Sequence, residues 1–150
     1  MTDLRDLYQE VILDHNKRPR NYGTLEGASH QAEGNNPLCG DQITVYLTLE
    51  GDCVRHVQFE GTGCAISTAS ASVMTESLKG KTRALVEDLF RKFHAMVTGD
   101  PEKDPLEDGL GKLVVFSGVR VFPIRVKCAT LPWHTFQAAL KDEKKTITTE

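Results

Sequence analysis

From Gln42 to Leu49 the chain alternates strictly. Ile43, Val45, Leu47 and Leu49 are apolar, and Gln42, Thr44, Tyr46 and Thr48 stand between them. A period of two sends one set to a buried face and predicts a half-buried strand. Glu50-Gly51-Asp52 supplies a turn, and a second strand follows with Val57 and Phe59 on one face and His56, Gln58 and Glu60 on the other. Cys53 shares the parity of Val57 and Phe59, so it is expected to face the core as a small hydrophobe.

Elsewhere the period is helical. Leu4, Leu7, Tyr8, Val11 and Ile12 predict an amphipathic helix over residues 3–16, with Asp3, Asp6 and Glu10 toward its N-terminal end. Residues 17–36, punctuated by Pro19, Gly23, Gly27 and Gly34, read as mostly loop. Ala65 to Lys79 is a helix rich in small residues, with Ile66, Ala69, Val73, Met74 and Leu78 on one face and Gly80 as C-cap. Thr82 caps a third helix through Val97 that buries Leu85, Leu89, Phe90, Phe93, Met96 and Val97. Residues 98–109 form an acidic loop with two prolines, and Leu113 to Phe116 has strand propensity but is short. Pro123 opens a turn or short helix carrying Cys128. Thr130-Leu131-Pro132 then starts a final helix, since proline is tolerated in a first turn, with Trp133, Phe136, Ala139 and Leu140 on its apolar face. The tail, 142–150, is polar and expected to fray. The predicted architecture is α+β: one domain over residues 1–150, with a small antiparallel sheet of about three strands packed against several helices.

Composition narrows the function classes. A length of 150 residues allows one domain with a real core, and 39% hydrophobic with 26% charged residues is ordinary for a soluble globular protein. A net charge of -3 makes no electrostatic case for nucleic acid or an acidic membrane surface. The densest basic cluster, Lys17-Arg18-Pro19-Arg20, reads as a solvated loop after a helix. No apolar run approaches the ~20 residues of a membrane span. Met1-Thr2-Asp3-Leu4-Arg5-Asp6 carries acids where a signal peptide needs bases and an apolar core, so a cytoplasmic location is expected. In a reducing compartment the four cysteines are expected free, metal-bound or catalytic rather than paired.

Three of those cysteines stand where a thiolate is useful. Cys39, with Asp41 two residues on, follows the turn-like Asn35-Asn36-Pro37, and Gly40 lets the backbone bend so that both side chains reach one point. Cys64 precedes a predicted helix, whose positive dipole end favours an anion. Cys128 follows Arg125 and Lys127, two cations that would stabilise a negative sulfur. Three sulfurs and a carboxylate oxygen make a complete tetrahedral donor set for zinc, which would deprotonate all three thiols. No zinc-finger spacing is matched, so such a site has to be assembled by the tertiary fold. Spacing alone leaves a redox pair or unrelated cysteines open. His15, His30, His56, His94 and His134 lie beside none of the three and read as surface or packing residues. There is no phosphate-binding glycine loop and no nucleophile elbow, and helix packing accounts for Ser67, Ser70 and Ser72.

The local contexts are more specific than the spacings. The segments Asn35-Asn36-Pro37-Leu38-Cys39-Gly40-Asp41, Gly61-Thr62-Gly63-Cys64-Ala65-Ile66-Ser67-Thr68-Ala69-Ser70 and Phe122-Pro123-Ile124-Arg125-Val126-Lys127-Cys128-Ala129-Thr130-Leu131 resemble the IscU/SufU (NifU N-terminal-like) family of iron–sulfur cluster assembly proteins. So do Leu7-Tyr8 through Asp14-His15 and Pro19-Arg20-Asn21, and the resemblance runs over residues 4–140. Lys127 stands where scaffold-type members carry histidine, a chaperone-docking Leu-Pro-Pro-Val-Lys segment is absent, and the stretch around 82–105 looks like a SufU-type insertion. These features resemble the zinc-dependent SufU branch. That resemblance implies zinc on Cys39, Asp41, Cys64 and Cys128. It also implies a SufS-type pyridoxal-phosphate cysteine desulfurase as sulfur donor and a downstream Suf-type scaffold as receiver. It implies a sulfurtransferase-like carrier rather than an independent enzyme, in which a desulfurase histidine displaces one thiolate and the freed cysteine attacks the persulfide. Cys39 is the expected acceptor and Cys128 the second candidate; Arg125 would hold the partner or steady the exchanging thiolate, and Lys127 would stabilise negative sulfur. The alternative is a scaffold that assembles a 2Fe–2S cluster, or binds iron, on the same four side chains.

Overall fold

The alternating run forms the middle of a sheet. In the computed structural model, which describes residues 4–37, 40–99, 109–141 and 147–148, the elements in order are helix α1 (Leu4–Lys17), strands β1 (His30–Asn36), β2 (Asp41–Glu50) and β3 (Cys53–Thr62), and helices α2 (Ala65–Leu78) and α3 (Arg83–Thr98). A 3₁₀ helix (Gly111–Val121), helix α4 (Pro123–Leu140) and strand β4 (Ile147–Thr148) follow. The sheet order is β3-β2-β1-β4, antiparallel among the first three, with β4 a two-residue parallel addition on β1. The fold is α+β, as expected. Val45 and Leu47 of β2, Val73 and Leu78 of α2, and Leu131, Trp133 and Phe136 of α4 meet in one core. Phe93 of α3 stacks on Trp133 with ring centroids 4.5 Å apart.

Several expectations are corrected. Residues 30–36 are not loop but a strand, and its sequence hides the fact. The inward positions are Ala32, Gly34 and Asn36, none of them a strong strand former. Packing explains the choice: a β-carbon on Gly34 would stand 2.1 Å from Thr135 Oγ1 and 3.1 Å from Leu131 Cδ1 of α4. Cys53 is only half-buried, because the pairing register shifts between Thr48 and Leu49 and hands the core position to Val54. Leu85, expected in the core, is 52% exposed, and Val86 is buried in its place. Leu113–Phe116 lies within the 3₁₀ helix rather than a strand. Pro123 and Pro132 share one continuous helix. Pro132 therefore contributes no amide hydrogen to the carbonyl of Cys128 four residues back. Ile147–Thr148, placed in the expected frayed tail, pairs with Gly34 and Asn35.

Thr82 caps α3 as expected, whereas the C-cap of α2 is Lys79, one residue before the expected Gly80. Thr82 accepts from the Leu85 amide at 3.4 Å, and Gly80 takes φ +81 just beyond α2. Helix α1 is tied down by a buried histidine. The Ser72 hydroxyl accepts from the Arg20 amide at 2.8 Å and sits 2.7 Å from His15 Nδ1. Glu76 and Lys112 lie near His15 Nε2, at 3.5 and 3.4 Å. Burial, and secondarily the Arg20 charge, pushes the His15 pKa down; burial and the neighbouring His94 do the same to His134.

Two predictions follow from this packing. Gly34→Ala should lower the unfolding free energy by about 1–3 kcal/mol, the usual cost of overpacking. Adding Thr135→Ala, which removes the clashing oxygen, should make the pair less costly than the two single changes summed, as read in a denaturant double-mutant cycle. The histidines set a pH dependence. Unfolded histidine takes a proton near pH ~6.5, while the folded His15 and His134 resist it. Their contribution to stability is thus complete above that value and is lost as pH falls toward the lower folded values. Denaturant midpoints of the metal-free protein should drop from about pH 7 to about pH 5. His15→Gln, although weaker at neutral pH, should show a flatter slope.

Candidate metal centre

Asp41, Cys64 and Cys128 reach one point from three different elements. Asn36, the last residue of β1, pairs with Asp41 across the β1–β2 ladder. Gly40 takes φ +72, a conformation glycine adopts without strain. Asp41 is the first residue of β2. Strand β3 ends at Thr62, and after Gly63 the chain turns into α2 with Cys64 as N-cap, at φ -71 and ψ 168. Gly63 is needed for contact rather than for conformation: a β-carbon would lie 2.8 Å from Asp41 Oδ1. Cys128 lies in the second turn of α4. Ser70 of α2 fixes that turn by donating to the Ala129 carbonyl at 2.6 Å.

The ligand atoms of Asp41, Cys64 and Cys128 lie within 4.8 Å of one another, with Asp41 and Cys128 buried and Cys64 half-buried. The Cys64 amide donates to Asp41 Oδ1 at 2.8 Å, and the second oxygen, Oδ2, stands 3.8 Å from Cys64 Sγ. Cys64 Sγ accepts from the Ser67 amide at 3.4 Å, so a thiolate there occupies the anion-favouring end of α2. Asn36, itself 0% exposed, points its amide nitrogen at Cys128 Sγ from 4.0 Å.

This donor set fits zinc. Tetrahedral bonds of ~2.3 Å to sulfur and ~2.1 Å to oxygen separate the two ligand atoms by about 3.6 Å, close to the observed 3.8 Å. Two thiolates and a carboxylate suit a borderline cation such as zinc, and thiolates equally suit iron.

The remaining predicted residues divide. Cys39 lies outside the described residues. Arg125 is exposed, three residues before Cys128 on the same helix face, with its guanidinium 4.4 Å from the Phe122 ring centroid. Lys127 is half-buried and adjacent in sequence to Cys128; neighbours along a helix do not share a face. Cys53 and all five histidines stand outside the Asp41–Cys64–Cys128 group. Ser70 and Ser72 join helices, as expected. Asn36 and Gly63 belong to the site and were missed as individuals; their only signal was membership of the motifs around Cys39 and Cys64.

The chain resembles known proteins over nearly its whole length. Residues 7–145 match the family model of the NifU-like N-terminal domain. The chain is 42% identical over 142 residues to the zinc-dependent sulfurtransferase SufU of Bacillus subtilis, covering 95% of each. It is 38% identical over 141 residues to the iron–sulfur cluster assembly scaffold protein IscU of Streptococcus pyogenes, covering 94% of this chain and 87% of the relative. Among solved structures it resembles a candidate SUF-system iron–sulfur cluster assembly scaffold protein from Fervidobacterium islandicum, with a TM-score of 0.81 at 36% identity over 92% of this chain and 99% of that one. Among the described residues no helix is long and apolar enough to cross a membrane. The chain belongs to the NifU-like N-terminal domain family, the family of the SufU and IscU iron–sulfur cluster assembly proteins.

Proposed function

We propose that this protein is a zinc-dependent sulfur acceptor that takes persulfide sulfur from a SufS-type cysteine desulfurase and passes it to a downstream Suf-type scaffold in the cytoplasm. The observation that carries the reading is the convergence of Asp41, Cys64 and Cys128, with ligand atoms within 4.8 Å. The SufU relative, named a zinc-dependent sulfurtransferase, supports it at 42% identity. Zinc would be held by these three residues and by Cys39, two positions before Asp41, and would keep the thiols deprotonated near neutral pH.

The chain's own part is thiol exchange. Cys39 is the acceptor: its thiolate attacks the outer sulfur of the donor's persulfide. A new S–S bond forms on Cys39 as the old one breaks, and the electron pair leaves on the donor's thiolate. The exchange requires no external oxidant or reductant. Arg125, exposed on the Cys128 face of α4, would meet the docking partner. Lys127, half-buried but on another face of α4 than Cys128, would add positive charge only at a distance from the sulfurs. The scaffold reading, a 2Fe–2S cluster on the same ligands, is favoured by the IscU relative at 38% identity.

Metal analysis and a coupled assay separate the two. The protein purified without oxygen should carry about one zinc per chain and should stimulate cysteine turnover by a SufS-type desulfurase. Bound iron and sulfide absorbing in the visible, with no stimulation, would establish the scaffold instead. Asp41→Ala should weaken zinc by more than about 100-fold, exceeding the cost of losing an outer hydrogen-bond partner, and should reduce stimulation. Cys39→Ser should abolish stimulation, whereas Cys53→Ala, outside the site, should change neither measurement. Full stimulation by Cys39→Ser would move the acceptor role to Cys128.

A further inference from the structure

Asn36 is polar, fully buried and directed at one of the site's sulfurs, yet a carboxamide is neither a zinc ligand of the expected kind nor a nucleophile. Its backbone pairs with the ligand Asp41 across the β1–β2 ladder. Its side chain lies 0% exposed, with Nδ2 directed at Cys128 Sγ from 4.0 Å. A buried amide costs free energy unless its polar atoms are satisfied, so this donor is not there for want of an apolar alternative. The sulfur it faces belongs to α4, and the strand that carries it is held against α4 by the close approach at Gly34. Strand and helix are therefore locked in the register that puts donor and sulfur together. Cys64 is treated in the same way from its own side, receiving the Ser67 amide at 3.4 Å.

We propose that Asn36 is a positioning residue for the metal centre: its side-chain N–H holds the Cys128 thiolate in the ligand direction and takes up part of its negative charge. The inference rests on the metal-bound reading above and deepens it. An N–H donor to a thiolate lowers the energy of the sulfur lone pair, which makes that sulfur a poorer nucleophile and keeps it oriented toward the metal. Cys128 is thereby the retained ligand, and sulfur acceptance falls to another thiolate of the set. The fully buried Cys128 side of the site is built to stay.

Cobalt(II) substituted for zinc reports on this directly, because its thiolate charge-transfer absorption depends on the energy of the sulfur lone pair. The proteins compared are wild type, Asn36→Ala, Asn36→Leu and Cys53→Ala. Leucine matches the shape of asparagine without its donor, and serves if the alanine variant folds poorly. Cys53→Ala removes a half-buried thiol outside the Asp41–Cys64–Cys128 group. Both Asn36 variants should shift the charge-transfer band to longer wavelength and weaken zinc by about 10–100-fold in chelator competition. Alkylation of the zinc-loaded protein, mapped by mass spectrometry, should find Cys128 protected in wild type and modified early in the variants. Cys53→Ala should leave the band where it is. Folded Asn36 variants with wild-type spectrum, zinc affinity and alkylation order would overturn the inference and leave the metal centre intact. A wild-type protein that binds neither zinc nor cobalt would overturn the metal reading itself, and Asn36's role with it.

Discussion

Helix α4 crosses β1 with no room for a side chain at Gly34, where a β-carbon would meet Thr135 Oγ1 at 2.1 Å. That close approach sets the height of α4 over the sheet, and the height decides where Cys128 sits. Were the helix lifted by the width of a methyl group, Cys128 Sγ would move away from Asn36 and from the Asp41–Cys64 pair. The small inward residues of β1, Ala32 and Gly34, which look like poor strand material, are what permit the contact. Strand propensity is given up for helix–sheet distance, and the central strand β2, with Val45 and Leu47 fully buried, supplies the stability that β1 lacks.

The site itself is arranged so that its polar atoms serve one another. Asp41 uses one oxygen to accept the Cys64 amide and presents the other beside the Cys64 sulfur. The amide nitrogens of Ser67 and Asn36 address the sulfurs of Cys64 and Cys128 respectively. The N-terminal end of α2 adds a favourable potential for negative charge. A cation entering this setting meets ligands already oriented by hydrogen bonds, so little reorganisation opposes binding. The same donors restrain the thiolates. The carrier role proposed above would need that balance: sulfurs basic enough to hold a metal, and restrained enough that only one of them exchanges.

Helix α1 and the segment after it belong to this frame rather than to the chemistry. His15, Ser72 and the Arg20 amide lock the N-terminal helix to α2 well behind Cys64, and Arg20 returns to Asp14 at 2.6 Å. The residues that made Asp14-His15 and Pro19-Arg20-Asn21 part of a recognisable signature are thus explained by anchoring. They hold the helix whose first residue is next to the site.

Much of this was legible in the order of residues. Strict alternation identified β2, helical spacing identified α1 and α2, and the surroundings of Cys64 and Cys128 carried the family resemblance. Thr82 and Gly80 marked helix ends because capping is local physics. What failed was whatever depended on a partner far along the chain. Strand β1 looked like loop since its side chains answer to α4, and Cys53 lost the core to Val54 because a register shift is a property of two strands together. Leu85 pointed outward because the faces of α3 are chosen by what packs on them. Donor types are carried by individual residues, so sequence alone determined that this chain owns thiolates and a carboxylate suited to a borderline metal. Their distance from one another, and the burial of Asn36 against Cys128, were decided only by the tertiary structure, because contacts between residues so remote in the chain exist only once the helices have settled on the sheet.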